Sequence, residues 1–245
     1  MSRVAGSSNQ EKGKHPALAL TPLPPFPVEP GEGGKVARWL VVGLVMLFAA
    51  LALTVVAAGD GVVPGDIAIA RAVQRPASAE IDGLARIASL VGDDFPAMVG
   101  LGLVGVAVLV AAGRRDLAVF LGVAAAMRAA GPGLKSLIAS PRPTPEAVAV
   151  VVQAGGLGFP SGHAMGAALF YGAITVIAPQ VFANRRIARG IQATAVVMMA
   201  LIALSRVRLG VHWPSDVVGG LLFGLGIVCL LQAAMLGWRR ARLRM

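Results

Sequence analysis

The stretch VARWLVVGLVMLFAALALTVVAA, residues 36–58, decides the class of fold. This apolar run exceeds the roughly 20 residues that an α-helix needs to cross a bilayer. It is also longer than the apolar core of a secretory signal peptide, and Lys35 and Arg38 stand at its start. We therefore interpret it as a membrane anchor, although the small residues Ala57, Ala58 and Gly59 leave cleavage open.

The composition of the whole chain agrees with a membrane protein. Of the 245 residues, 56% are hydrophobic and 14% are charged, and the mean hydropathy is +0.76. Such values exclude an ordinary soluble domain. The net charge of +10 would also suit nucleic-acid binding, but the basic residues lie between apolar runs, which argues against a nucleic-acid partner. The lone Cys229 supports neither a disulfide framework nor a multi-cysteine metal site.

Five further apolar runs follow the first one, so the sequence predicts an all-α integral membrane bundle of six helices. A short amphipathic helix is also predicted at the membrane interface between the first two spans. The apolar residues of that helix recur at helical spacing: Ile81, Leu84, Ile87 and Val91. The five further predicted spans are residues 95–112, 117–139, 163–182, 191–205 with a short extension, and 217–238.

The remaining segments define the domain organisation. Residues 1–35 are polar and then proline-rich, which predicts a disordered cytoplasmic tail, with a docking role for its prolines left open. Residues 36–238 form the predicted six-span membrane domain, and residues 239–245 form a basic cytoplasmic tail. With the N-terminus inside, most of the 22 Lys and Arg residues fall on the inner side. The positive-inside rule therefore predicts that both termini face the cytoplasm.

Three clusters of ionisable residues lie at the outer ends of the predicted spans. An ionisable group at the hydrocarbon boundary is costly unless it is paired or functional. The second and third clusters are separated by two spans, so they lie on the same side of the membrane. The clusters are Lys135 with Arg142 and Pro143; Pro160, Ser161, Gly162 and His163; and Ser205, Arg206, His212 and Asp216.

Each cluster alone has an ordinary explanation. A basic side chain can snorkel to the interface, and Ser161 can simply cap a helix. Together, the clusters supply three cations that can hold a phosphate through charge-assisted hydrogen bonds. Backbone N–H groups near Gly162 and His163 add an anion site at a helix N-terminus.

The residues His212 and Asp216 are four positions apart at the start of the last span, which places them on one face if the helix begins there. The carboxylate can then fix the imidazole tautomer and leave the other ring nitrogen available as a nucleophile or base. A purely structural His–Asp pair is the alternative interpretation.

The three clusters read K-x6-R-P from Lys135 to Pro143, P-S-G-H from Pro160 to His163, and S-R-x5-H-x3-D from Ser205 to Asp216. In this order they closely resemble the type 2 phosphatidic acid phosphatase family, which shares its fold with vanadium-dependent haloperoxidases. The resemblance extends over about residues 36–238. It implies a metal-independent hydrolase of lipid phosphoric monoesters or diphosphates that needs no cofactor.

The resemblance also implies a role for each matching residue. His212 would attack phosphorus to give a phosphohistidine, Asp216 would orient it, and His163 would protonate the leaving alkoxide. The residues expected to hold the phosphate are Lys135, Arg142, Arg206, Ser161 and Gly162.

The expected partner is a lipid phosphate that reaches the outer face of a cell membrane, in a multi-pass protein of bacterial type. Undecaprenyl diphosphate, phosphatidate and phosphatidylglycerol phosphate are the candidates, and the compact chain favours a polyprenyl diphosphate or a bacterial glycerolipid phosphate. Three alternatives remain open: a phosphotransferase with the same site, a haloperoxidase, and a non-catalytic transporter or scaffold. Six spans argue against the haloperoxidase, for which a soluble architecture is expected.

Overall fold

A computed structural model describes residues 32–58, 61–93 and 95–244. Over these ranges the regular secondary structure is helical and contains no strand, which confirms the all-α class. Residues 1–31 of the predicted tail lie outside the described residues. The helices are α1 (Glu32–Ala57), α2 (Asp66–Gln74), α3 (Ala79–Asp93), α4 (Phe95–Ala111), α5 (Arg115–Ala126), α6 (Gly131–Ile138), α7 (Gly162–Val181), α8 (Arg185–Arg208) and α9 (Pro214–Arg242).

Several helical segments have the length and composition of membrane spans. Within the described ranges, five qualify: Gly33–Ala57, Arg115–Ser136, Gly162–Val181, Arg185–Arg208 and Pro214–Arg242. The other predicted span, residues 95–112, corresponds to α4, whose segment Met98–Ala111 is apolar but shorter. Multiple candidate spans are therefore confirmed, while the count of six stays a prediction.

The third predicted span, residues 117–139, is interrupted. Helix α5 ends at Ala126, a 3₁₀ turn covers Met127–Ala130, and α6 begins at Gly131. The sequence at the restart is Gly131-Pro132-Gly133. Pro132 cannot donate a helical hydrogen bond, so the regular α-helical pattern gives way to a 3₁₀ turn here, while Gly131 keeps an α backbone at φ −55° and ψ −48°. The break sets α6 apart as the short helix that carries Lys135.

Helices α2 and α3 both pack against α8, and α2 also contacts α9. The buried Arg208 holds them there, because its Nε donates to Asp82 Oδ1 at 2.7 Å and its Nη2 donates to the Pro76 carbonyl at 2.7 Å. Helix α3 coincides with the predicted amphipathic helix. Its position at the membrane interface stays a prediction, and Arg208 proves to be a structural link.

Helix α7 occupies the centre and packs against both α8 and α9. Most of its residues are buried, whereas α1 packs against α9 and exposes much of its remaining surface. The contact between α1 and α9 is close, since a Cβ added at Gly43 would lie 3.0 Å from the Gly226 carbonyl oxygen. The first and last helices of the described chain are therefore direct neighbours.

Candidate active site

The structure brings the three sequence clusters together at one end of the bundle. Arg142 Nη1 lies 3.3 Å from His212 Nε2, and the Ser161 N–H donates to the Asp216 carbonyl at 2.9 Å. Burial first, and then Arg142, Lys135, Arg206 and His163, lower the pKa of His212 well below its usual value. The clusters come from separate elements, as follows: α6 for Lys135, the loop before α7 for Arg142, the start of α7 for Ser161, Gly162 and His163, the end of α8 for Arg206, and the α8–α9 connection with the first turn of α9 for His212 and Asp216.

The residues His212 and Asp216 form a buried pair. The Nδ1 atom of His212 lies 3.1 Å from Asp216 Oδ2, and the two side chains are 2% and 0% exposed. The condition under which both would project from one helical face is not met, because α9 begins at Pro214 and His212 precedes it. Proline suits the first turn of a helix, and the Asp216 carboxylate reaches back to accept from the Trp213 N–H at 3.0 Å. Helix capping therefore brings the carboxylate to the imidazole.

The tautomer of His212 follows from its two neighbours. The Nε2 atom lies 3.3 Å from Arg142 Nη1, which can only donate. Nε2 must then accept, so the ring proton resides on Nδ1 and points to Asp216. With its pKa well below the usual value, the imidazole is neutral near pH 7. A neutral ring with a lone pair on Nε2 is the form of histidine that can act as a nucleophile.

Main-chain and side-chain acceptors orient the three cations. Lys135 Nζ donates to the Leu157 carbonyl at 3.0 Å, and Arg142 donates to the carbonyls of Gly156 at 3.1 Å and Val211 at 2.7 Å. Arg206, which is 6% exposed, donates to Ser89 Oγ. Cations that are fixed in advance lose little freedom when they bind an anion. We refer to Lys135, Arg142 and Arg206 together as the cation cradle.

The first turn of α7 borders this cradle. The predicted N-cap is confirmed, since Ser161 Oγ accepts from the Ala164 N–H at 3.5 Å. The Ser161 N–H donates to the Asp216 carbonyl at 2.9 Å, which ties α7 to α9. A Cβ at Gly162 would meet no atom within 4 Å. The space beside Gly162 is therefore open.

Sequence analysis did not find Asp66, the first residue of α2. This carboxylate is 3% exposed, and its Oδ1 accepts from the Ser215 N–H at 2.9 Å while its Oδ2 accepts from Ser215 Oγ at 2.6 Å. Ser215 stands beside the His212–Asp216 pair, so Asp66 holds the start of α9 in place. The available sequence signal was weak: an acidic residue after the turn-forming Pro64 and Gly65.

Replacing Asp66 with Ala is expected to lower both stability and activity. The change leaves the Ser215 N–H and hydroxyl buried without their acceptor, at a cost of roughly 1–3 kcal/mol. Thermal unfolding in detergent and phosphate release measure the two effects. Glu146, an exposed carboxylate, provides the control, since Glu146→Ala should change neither quantity. Unchanged unfolding and activity in Asp66→Ala would contradict the positioning role.

Comparisons with known proteins identify relatives of the chain. Residues 116–240 match the model of the PAP2 superfamily, and all eight candidate site residues fall inside this match. A 115-residue segment is 35% identical to the decaprenylphosphoryl-5-phosphoribose phosphatase of Mycobacterium tuberculosis, in strains CDC 1551 / Oshkosh and ATCC 25618 / H37Rv. That segment covers 45% of this chain and 56% of the relative, so the chain spans about half the length of the curated relatives it matches.

A solved structure matches a larger share of the chain. It is the crystal structure of the first transmembrane PAP2 type phosphatidylglycerolphosphate phosphatase from Bacillus subtilis. The TM-score is 0.64 at 25% sequence identity, and the match covers 81% of this chain and 96% of that chain. The helical membrane architecture is therefore shared over most of both proteins.

Proposed function

Because the chain belongs to the PAP2 superfamily, we propose that it is a membrane phosphatase that removes a phosphate from a lipid or polyprenyl phosphate through a phosphohistidine. The observation that carries this proposal is the environment of His212. Its Nδ1 faces the Asp216 carboxylate, and its Nε2 faces the cation cradle at Arg142. This arrangement suits attack on a phosphorus atom whose oxygens are held by fixed cations.

The proposed reaction has two steps. In the first, His212 Nε2 attacks phosphorus, the bond from phosphorus to the leaving oxygen breaks, and His163 gives its proton to that oxygen. In the second, water attacks the phosphohistidine, the P–N bond breaks, and His163 takes the proton released by the water. The products are a lipid alcohol, or a lipid monophosphate from a diphosphate, and inorganic phosphate.

Positive charge for this reaction is available from the chain itself. Among the described residues, no group of three or more His, Cys, Asp or Glu side chains is placed to hold a metal ion. We propose that the cation cradle stabilises the charge that develops on the equatorial phosphate oxygens, a role that divalent cations fill in other phosphoryl-transfer enzymes.

Purified protein in detergent should release inorganic phosphate from lipid phosphates in the presence of EDTA. Vanadate should inhibit the release, because its trigonal-bipyramidal adduct resembles the transition state. The matched control is Arg115→Gln, which removes an exposed charge outside the cradle and should leave activity and vanadate sensitivity unchanged. Loss of phosphate release in EDTA, with recovery on addition of magnesium, would contradict the proposed chemistry.

Two of the compared proteins suggest a further candidate substrate architecture. Decaprenylphosphoryl-5-phosphoribose and phosphatidylglycerolphosphate are both lipids joined through one phosphoryl group to a short polyol that carries a second phosphate. We include this architecture among the candidate substrates of the present chain. It stands beside undecaprenyl diphosphate and phosphatidate, in which no polyol separates two phosphates.

The proposed topology has six spans, both termini in the cytoplasm, α3 at the interface and the site on the extracytoplasmic side. It can be checked in a Cys229→Ala background, which removes the native thiol. A cysteine at Glu146, in the exposed loop before α7, should react with an impermeant thiol reagent in intact cells. A cysteine at Arg186, exposed at the start of α8, should react only after lysis. The reverse labelling pattern would place the site in the cytoplasm.

A further inference from the structure

The side chain of Gln74, the last residue of α2, joins the α6–α7 loop, residues 139–161, to the end of α8. Its Oε1 accepts from the Ala149 N–H at 3.1 Å, and its Nε2 donates to the Ala149 carbonyl at 2.8 Å. The same Nε2 also donates to the carbonyls of Val207 at 3.3 Å and Arg208 at 3.1 Å. Because the oxygen faces a donor and the nitrogen faces acceptors, the orientation of the amide is fixed.

The α6–α7 loop, which contains Ala149, orients two members of the cation cradle. Its Gly156 carbonyl accepts from Arg142 Nε at 3.1 Å. Its Leu157 carbonyl accepts from Lys135 Nζ at 3.0 Å. Arg142 is itself part of this loop. The position of the loop therefore determines where these two cations stand.

The other partners of Gln74 belong to the helix end that carries the third cation. Val207 and Arg208 directly follow Arg206 in the last turn of α8. The last carbonyls of a helix lack a full set of donors within it, and the amide of Gln74 supplies donors to two of them. Gln74 thus bonds the loop that orients two cradle cations and the helix end that carries the third.

The loop also lies directly on the turn that follows α8. The N–H groups of Val151 and Val152 donate to the Leu209 carbonyl at 3.1 and 3.3 Å. At Gly210, whose φ is +67°, an added Cβ would lie 2.1 Å from the Ala149 carbonyl oxygen. That oxygen is a backbone atom and cannot swing aside as a side chain could. A shift of the loop at Ala149 must therefore move this turn, which leads to the proposed nucleophile.

We propose that Gln74 is a positioning residue of the cation cradle: its amide sets the separation between the two cations oriented by the α6–α7 loop and the cation at the end of α8. This proposal rests on the proposed function and adds to it a residue that acts through the cradle. Phosphoryl transfer depends on fixed positive charge around the phosphate oxygens, and a displacement of about 1 Å can lower a rate about 100-fold. Loss of the amide should therefore weaken the binding of a phosphate-like anion as well as catalysis.

Two arginines also bond the α6–α7 loop, each at one carbonyl. Arg71 Nε donates to the Ala147 carbonyl at 2.8 Å, and Arg86 Nη2 donates to the Val151 carbonyl at 3.0 Å. Neither of these two bonds reaches α8. If attachment of the loop were all that mattered, removing one of them would have the same effect as removing the amide of Gln74.

The test compares Gln74→Met with the wild type, because methionine has a similar length and lacks the amide. Titration calorimetry of the purified protein in detergent should show that the Kd for vanadate rises about 10-fold or more. For the candidate lipid phosphate that the wild type hydrolyses fastest, kcat/KM should fall about 10- to 100-fold. Gln153→Met makes the same substitution at an exposed position of the same loop, and Arg71→Ala removes the bond to Ala147. Both controls should change either value less than about threefold.

A double-mutant cycle with Arg206→Gln separates positioning from a general structural role. If Gln74 acts through the cradle, Gln74→Met should raise the vanadate Kd less than about threefold once Arg206 is replaced, because the geometry that it maintains is already lost. A general structural role predicts a lower unfolding temperature and the same change in Kd in both backgrounds. Gln74→Asn keeps the amide but is one methylene too short to reach both partners. It carries the test, with the same expected loss, if Gln74→Met does not fold.

Vanadate binding keeps the two proposals apart. If the wild type binds vanadate but releases phosphate from no lipid phosphate, the proposed function fails, and the Kd values still test the role of Gln74. If the wild type hydrolyses a lipid phosphate and Gln74→Met leaves the vanadate Kd unchanged, or Arg71→Ala raises it equally, the role of Gln74 alone is overturned. Additive effects of Gln74→Met and Arg206→Gln would also overturn it. A wild type that neither binds vanadate nor hydrolyses a lipid phosphate would overturn both proposals.

Discussion

His212→Ala should abolish turnover of every lipid phosphate, with a loss of about 10⁴-fold or more, and no phosphoenzyme should form. The imidazole is buried and its Nδ1 faces Asp216, and on the proposed mechanism its Nε2 provides the nucleophilic lone pair at the cradle. Alanine leaves the cations in place, so the variant should still bind substrate and vanadate. Brief incubation with ³²P-labelled lipid, followed by denaturation in alkali, measures the acid-labile phosphohistidine.

The control for this experiment is His15→Ala, which removes the one histidine outside the motifs. It should retain full activity and labelling. Asp216→Asn should form phosphoenzyme more slowly than the wild type, because an amide no longer stabilises the protonated ring as bonding to phosphorus proceeds. Labelled phosphate on the His212→Ala protein would show that another residue is the nucleophile.

His163→Ala should slow the enzyme according to the leaving group. Phosphatidate expels an alkoxide, which needs a proton, so we expect a loss of about 100-fold or more. A polyprenyl diphosphate expels a more acidic phosphate group, and its loss should stay below about tenfold. The side chain stands at the start of α7, close enough to lower the pKa of His212.

The measurement for His163 should isolate the first step. Hydrolysis of the phosphohistidine is common to all substrates, so the rate of phosphoenzyme formation in a single turnover is the informative quantity. Gly190→Ala, at an exposed position near the start of α8 where a Cβ would meet nothing within 4 Å, controls for general effects of substitution. Equal slowing of this step with both substrates would show that His163 does not protonate the leaving group.

The sequence predicted the helical class and the candidate residues because each has a local signal. Long apolar runs predict membrane-spanning helices, and the three motifs lie in short stretches next to those runs. The interruption at Gly131 and the start of α9 at Pro214 were missed, because hydropathy does not register where a proline stops or starts a helix. The prediction was therefore better for the helical class than for the helix boundaries.

Contacts between residues that are far apart in the sequence have no comparable local signal. Asp66 is separated by 149 residues from Ser215, whose N–H and hydroxyl it accepts. Arg208 was not among the predicted site residues, yet it binds Asp82 in α3. In each case the function of the side chain depends on which helices become neighbours, and one sequence gives no direct measure of that.

The pairing of α1 with α9 also has a consequence for the order of synthesis. Along the described chain, α1 leaves the ribosome before the other helices and α9 leaves it after them. The surface of α1 around Gly43 therefore has no α9 to pack against until α9 has been synthesised. Asp216 is part of that same helix. On the proposed mechanism, a nascent chain therefore lacks its His–Asp pair, and cannot hydrolyse a lipid phosphate, until the start of α9 has been synthesised.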